Sequence, residues 1–145
     1  MASNASQLIG ALLALVLLTL LVGVRLLVTR VQEMRAKRIH PQAASTSTKM
    51  AARLENVQAA DNFRNLFEVP VMFYALAAVA LATRHVPGWL VAGAWSFVAL
   101  RVLHSSIHCT YNKVMHRFAA FFASFLPVVG LWVAFFLSLS ASSAA

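Results

Sequence analysis

Four long apolar runs, separated by short polar intervals, make up most of the chain, and each reads as a membrane-spanning helix. The first, about 7–29, is Leu-rich and follows Ser3, Asn4 and Ser6. Its helix is expected to continue past the bilayer through Arg30, Gln32, Glu33 and Arg35, and to stop at His40-Pro41, because proline pushes the preceding residue away from helical angles. Pro41 to Thr48 is small and polar and reads as a loop, with a new helix able to begin near Lys49. The second span covers about 63–82, with Pro70 near its start as a possible kink point. Arg84 to Gly88 makes a tight connection, with Pro87-Gly88 as a turn signal. The third span covers about 89–108, with Trp89 as an interfacial anchor. A short polar link, Cys109 to His116, leads to the fourth, about 117–139, which Pro127 and Gly130 are expected to interrupt. The tail, Ser140 to Ala145, carries no charge, and no internal repeat is evident. The expected fold is an all-α membrane protein: one domain over 1–145, built as a four-transmembrane-helix bundle.

Composition agrees with this pattern. The 145 residues are 61% hydrophobic and 11% charged, against about 25% charged in soluble domains, and the mean hydropathy is +0.76. Little chain is left for a soluble module. The first run does not read as a signal peptide: no basic segment precedes it, and Arg25 and Arg30 stand where a small-residue cleavage site would. A retained helix is expected.

Charge sets the orientation. Lys and Arg total 12 against 4 Asp and Glu. The excess lies mainly in the first loop, with Arg30, Arg35, Lys37, Arg38, Lys49 and Arg53, so membrane orientation explains it better than nucleic-acid binding does. The third link adds Lys113 and Arg117, whereas the opposite side has Arg84. The positive-inside rule puts the first and third loops in the cytoplasm and both termini outside. The single cysteine, Cys109, permits no internal disulfide and no Cys-pair metal site; inert packing is its ordinary role.

Ionisable residues inside apolar spans are costly and point to function. Asp61, Arg64, Asn65 and Glu68 share a helical face at the cytoplasmic entrance of span two, at spacings of three and four. An interfacial ion pair ending a helix would explain this stripe without a ligand. Arg101, His104, Ser105 and His108 form a second stripe on span three. Arg101 lies roughly 10 Å inside the cytoplasmic end and is expected to pair with Glu68, within or between subunits, as isolated buried charges are unfavourable. His104 and His108 could hold a metal, but no third ligand stands at diagnostic spacing, so no metal is assigned. Tyr111, Lys113, His116 and Arg117 open span four; taken alone they read as a positive-inside anchor. Together, Arg64, Arg101 and Arg117 would converge at one depth with Asn65, Glu68 and His108. Such a pocket suits a small ligand with several carboxylates and an amine, because arginine binds carboxylate in bidentate fashion and stays charged in a partly dry site.

This ordered set resembles the MAPEG family, the membrane-associated proteins in eicosanoid and glutathione metabolism. The resemblance rests on Arg64-Asn65-Leu66-Phe67-Glu68 with Pro70 shortly after, on Arg101-Val102-Leu103-His104, and on the spacing to Arg117. It implies a four-helix subunit that forms a homotrimer in a membrane, with glutathione as co-substrate at the subunit interfaces. It also implies that Arg64, Asn65, Glu68, Arg101, His104 and His108 bind the tripeptide, Glu68 being suited to its amine. Arg117 would be the catalytic residue, stabilising the thiolate. An arginine near the end of span one, Arg30 or Arg35, would join the site. The chain departs from one branch of the family at three places: His108 replaces a tyrosine, Phe118 a serine, and Phe121 an aromatic hydroxyl.

The leading expectation is a multi-pass protein of a bacterial inner membrane, a glutathione-dependent transferase or peroxidase acting on a lipophilic electrophile. Its partners would be its own copies, membrane lipid and that lipophilic small molecule, and not nucleic acid. One alternative is a non-enzymatic protein of the same fold that binds another anion or uses its polar cluster for assembly. Another is a small proton-coupled exporter with Glu68 as carrier, although Arg64 and Arg101 would hold Glu68 ionised.

Overall fold

The computed structural model describes residues 3–143. Six helices follow in order: α1 Asn4–Ala36, α2 Ser47–Ala51, α3 Gln58–Asn65, α4 Val69–Ala82, α5 Gly88–Cys109 and α6 Val114–Ser143, with a 3-10 turn at Pro41–Ala44. Among the described residues there is no strand. Four segments are long and apolar enough to cross a membrane: α1, the α3–α4 pair over Gln58–Ala82, α5, and Val114–Ser142 of α6. They coincide with the four expected spans, and each extends further at one or both ends.

The helix ends follow local chemistry. Ser3 Oγ caps α1 by accepting from the Ser6 backbone N–H at 3.2 Å. At the other end α1 stops at Ala36, short of His40-Pro41. Arg38 adopts a left-handed φ of 51°, its N–H donates to Arg35 O, and Ile39 N–H donates to Met34 O. This is the Schellman arrangement, which satisfies the terminal carbonyls. Arg84, with φ 56°, ends α4 in the same way through His85 N to Ala80 O.

The segment expected as a loop, Pro41 to Thr48, is partly ordered. His40 Nδ1 caps the 3-10 turn, and Thr46 Oγ1 caps α2 by accepting from Lys49 N at 3.2 Å. The chain that follows is clasped back onto α1. The Glu33 carboxylate accepts from Glu55 N at 2.7 Å and Asn56 N at 3.1 Å. Lys37 bridges Glu33 and Glu55, each at 2.8 Å, and its bond to Glu33 raises its pKa above the ordinary lysine value.

Two further expectations are corrected. Span two is not one continuous helix. Pro70 occupies the first turn of α4, where its missing N–H costs nothing, and the chain before it tightens into i→i+3 bonds from Phe67 N to Arg64 O and Glu68 N to Asn65 O. Span four, by contrast, is not interrupted: α6 runs through Pro127 and Gly130. Membrane helices tolerate proline because neighbouring groups accommodate the freed carbonyl. Ser140 to Ser143 is therefore helical, and Ala144 and Ala145 lie outside the described residues.

The centre of the bundle is α5, which packs against α6, α1 and α3. Leu8, Leu15, Phe73, Leu76, Phe97, Val128 and Phe135 form one apolar core. Polar links tie the helices within it: Trp132 Nε1 donates to Met72 O at 3.0 Å, and His85 Nε2 lies 3.0 Å from Ser138 Oγ. The outward face of α1 exposes Leu13, Leu20, Leu21, Val24 and Leu27. That suits a helix whose outer surroundings are hydrocarbon rather than water.

Candidate functional site

A cavity of about 390 Å³ opens at the end of the bundle where α3, the α3–α4 break, α5 and α6 meet. Its size falls within the usual range for small-molecule sites, about 300–1,000 Å³. Asp61, Arg64 and Asn65 of α3 supply one wall, with Glu68 beside them in the break. His104 and His108 of α5 form its floor, and Arg117 stands at the start of α6. The remaining wall is apolar: Val114, Phe118, Phe121 and Phe122. Phe118 and Phe122 meet at a tilt, 4.6 Å between centroids, and Phe121 and Phe122 meet edge to face at 5.7 Å.

The break in span two changes the expected geometry. Asp61, Arg64 and Asn65 share α3, but Glu68 lies beyond it and precedes α4. The ion pair on this face joins Arg64 to Asp61, at 3.8 Å, and both side chains stay accessible (71% and 46%). Glu68 is exposed to the cavity. Its expected ion pair with Arg101 is not formed within the chain. Arg101 is fully buried behind the cavity wall. It donates from Nη2 to Asn65 O at 3.0 Å and from Nη1 to Ser124 Oγ at 3.4 Å, while its Nε is buried without a partner. The helix break explains the preference: it leaves the Asn65 carbonyl free of a full helical bond, and a buried guanidinium reaches it.

Arg117 is held by three side chains. Its Nη1 donates to His108 Nε2 at 3.1 Å and to Asn112 Oδ1 at 3.0 Å. Its carbonyl accepts from His104 Nδ1 at 3.3 Å. His104 and His108 are both buried, with rings 5.5 Å apart and nearly perpendicular. Among the described residues no group of three His, Cys, Asp or Glu could hold a metal. Behind this layer Asn62, fully buried, accepts from Ser105 Oγ at 3.3 Å and donates to Cys109 Sγ at 3.3 Å. Cys109 is a buried free thiol, and its carbonyl accepts from Arg25 of α1.

A family model described as the MAPEG family matches residues 8–137. The chain belongs to the MAPEG family. With its four apolar helices, this MAPEG protein is an integral, multi-pass membrane protein. No curated protein and no solved structure matches it.

Of the residues singled out from the MAPEG resemblance, Arg64, Asn65, Glu68, His104, His108 and Arg117 line one cavity, and Arg101 buttresses it from behind. Arg30 lines a small neighbouring hollow of about 70 Å³ that shares Asp61 and Arg64 with the main cavity. Arg35 lies away from both, beside Arg38. Sequence reasoning missed Asn112, Ser124 and Phe122. A lone serine inside the Phe-rich run 118–125 was the available signal for Ser124, since a buried hydroxyl needs a partner. Asn112 takes a left-handed φ of 48°, which asparagine tolerates better than most residues.

Proposed function

We propose that this cavity binds glutathione, and that the protein is a glutathione-dependent transferase or peroxidase acting on lipophilic electrophiles. One observation carries the reading: charged groups of both signs face an aromatic wall across a single cavity. Glutathione has two carboxylates, an ammonium and a thiol. Arg64 suits a carboxylate, Asn65 and Glu68 suit the ammonium, and Arg117 suits the sulfur as its thiolate. A cation beside a thiol favours the thiolate, which is the nucleophile. The phenyl wall of Phe118, Phe121 and Phe122 suits an apolar second substrate arriving from the bilayer. The accessible side of the cavity and the exposure of Glu68 and Arg64 support assembly into a homotrimer, with the site at the contact between copies. In this reading the basic first and third loops face the cytoplasm of a bacterium, with both termini outside.

The absence of a hydroxyl on Phe118 and Phe121 beside Arg117 favours a second reading, in which the cavity binds an anion without reaction. Equilibrium titration of the detergent-purified protein with glutathione tests the first. Saturable binding is expected, weakened about tenfold or more by Glu68→Gln or Arg64→Ala, the scale of one lost charged hydrogen bond. Absence of binding, or binding indifferent to both substitutions, contradicts it.

A further inference from the structure

His104 and His108, one turn apart on α5, grip the same residue at two points. A carbonyl can only accept, so His104 Nδ1 donates to Arg117 O at 3.3 Å. A guanidinium can only donate and does not lose its proton, so His108 Nε2, 3.1 Å from Arg117 Nη1, must carry a lone pair. His108 is therefore a neutral imidazole with its proton on Nδ1, a buried atom without a partner. Asn112 Oδ1 takes the second hydrogen of the same Nη1. With both Nη1 hydrogens engaged, Nη2 and Nε of Arg117 are left to meet a ligand.

We propose that His108 is a positioning residue for Arg117: neutral, it holds the guanidinium at the cavity, and on taking a proton at Nε2 it lets the guanidinium go. Protonation replaces the lone pair with an N–H, so the bond from Nη1 has no acceptor and two cations face each other at about 3 Å. The groups that bear on His108 are Arg117 from α6, Asp61 from α3, and Arg101 and His104 on α5 itself. Arg64 and Glu68 share its cavity, and Arg25 of α1 bonds the neighbouring Cys109 carbonyl. A hydroxyl in this place could hold an arginine too, but it would take up no proton in the acid range and so would not release it. The consequence for thiol chemistry rests on the proposed function; the hold on Arg117 does not.

Two measurements test this separately. Nitrogen-15 histidine spectra of the detergent-purified protein report the tautomer without any ligand. At neutral pH, His108 is expected with Nδ1 protonated and Nε2 bare, and Arg117→Ala is expected to erase that preference. A proton on Nε2 at neutral pH overturns the proposal. The second readout is thiolate absorbance of bound glutathione against pH. Wild type is expected to lose thiolate over a steeper acid limb than His108→Gln, whose amide oxygen reaches the Nε2 position but does not titrate. His108→Phe, with no acceptor, is expected to lose about tenfold in thiolate, the effect of displacing one nearby cation. Identical acid limbs in wild type and His108→Gln overturn the proposal. If the tautomer is as expected and glutathione does not bind, the hold on Arg117 stands and the glutathione reading fails.

Discussion

Arg101 shows how a single side chain can be expected in the right place and take other partners within its own chain. Its position seven residues inside a span required a partner, and Glu68 was the available carboxylate. The partners it takes are neutral: the Asn65 carbonyl, at 3.0 Å, and the Ser124 hydroxyl, at 3.4 Å. It thereby ties the end of α3 and the middle of α6 to α5, directly behind the cavity. Arg101→Ala removes a charged hydrogen bond worth about 1.5–3 kcal/mol and leaves a void. Thermal unfolding in detergent should register that loss, and Arg101→Lys should recover only part, because an ammonium lacks the fork that spans both acceptors. An unchanged unfolding temperature in Arg101→Ala would contradict this role. The same reasoning separates Arg101 from Arg64 and Arg117, which line the cavity itself.

Between elements, α5 and α6 are tightly packed at Gly93. A Cβ there would lie 2.4 Å from Leu131 Cδ2, so the absent side chain is what lets Leu131 lie against α5, as small residues do in membrane helix contacts. Gly93→Val is expected to cost about 1–3 kcal/mol through overpacking. Leu131→Ala should relieve part of that, so the double variant is less destabilised than the sum of the two. Additive losses in thermal unfolding would show that the two positions do not share this contact. The number and identity of the spanning helices were legible in the sequence, because apolar length decides them. Their ends were less so. Arg38 and Arg84 terminate α1 and α4 in left-handed conformations that glycine usually marks, and neither is glycine. Pro70 was visible as a perturbation, but the break that divides α3 from α4 and leaves Glu68 outside α3 required knowing where the helix would resume. Pro127 misled in the other direction, since lipid-facing helices carry proline without stopping. Most of the cavity was legible because its cations and histidines stand out in apolar runs. Asn112 and Ser124 were not, as each is a neutral residue whose part is to accept from an arginine.

Across the whole molecule, three chain segments spread between residues 61 and 122 converge at one end of the bundle: Asp61 to Glu68, His104 to His108, and Arg117 to Phe122. The opposite end is tied by different bonds, from Asn4 Nδ2 to Val86 O at 2.9 Å and between His85 and Ser138. The molecule therefore has a polar end and an apolar body, with aromatic rings leading from one toward the other. This arrangement fits the proposed function, in which a charged thiol cofactor meets an apolar electrophile at the membrane surface and the chemistry turns on Arg117. The measurement that tests it most directly is thiolate absorbance of glutathione bound to the purified protein, followed against pH with and without Arg117→Ala. The account predicts a bound thiol whose pKa is lowered by about 1–3 units from its value in water by the neighbouring cation. It also predicts that Arg117→Ala abolishes most of that shift while leaving glutathione bound through Arg64, Asn65 and Glu68. A bound thiol that titrates as it does in water in the wild-type protein would contradict the account.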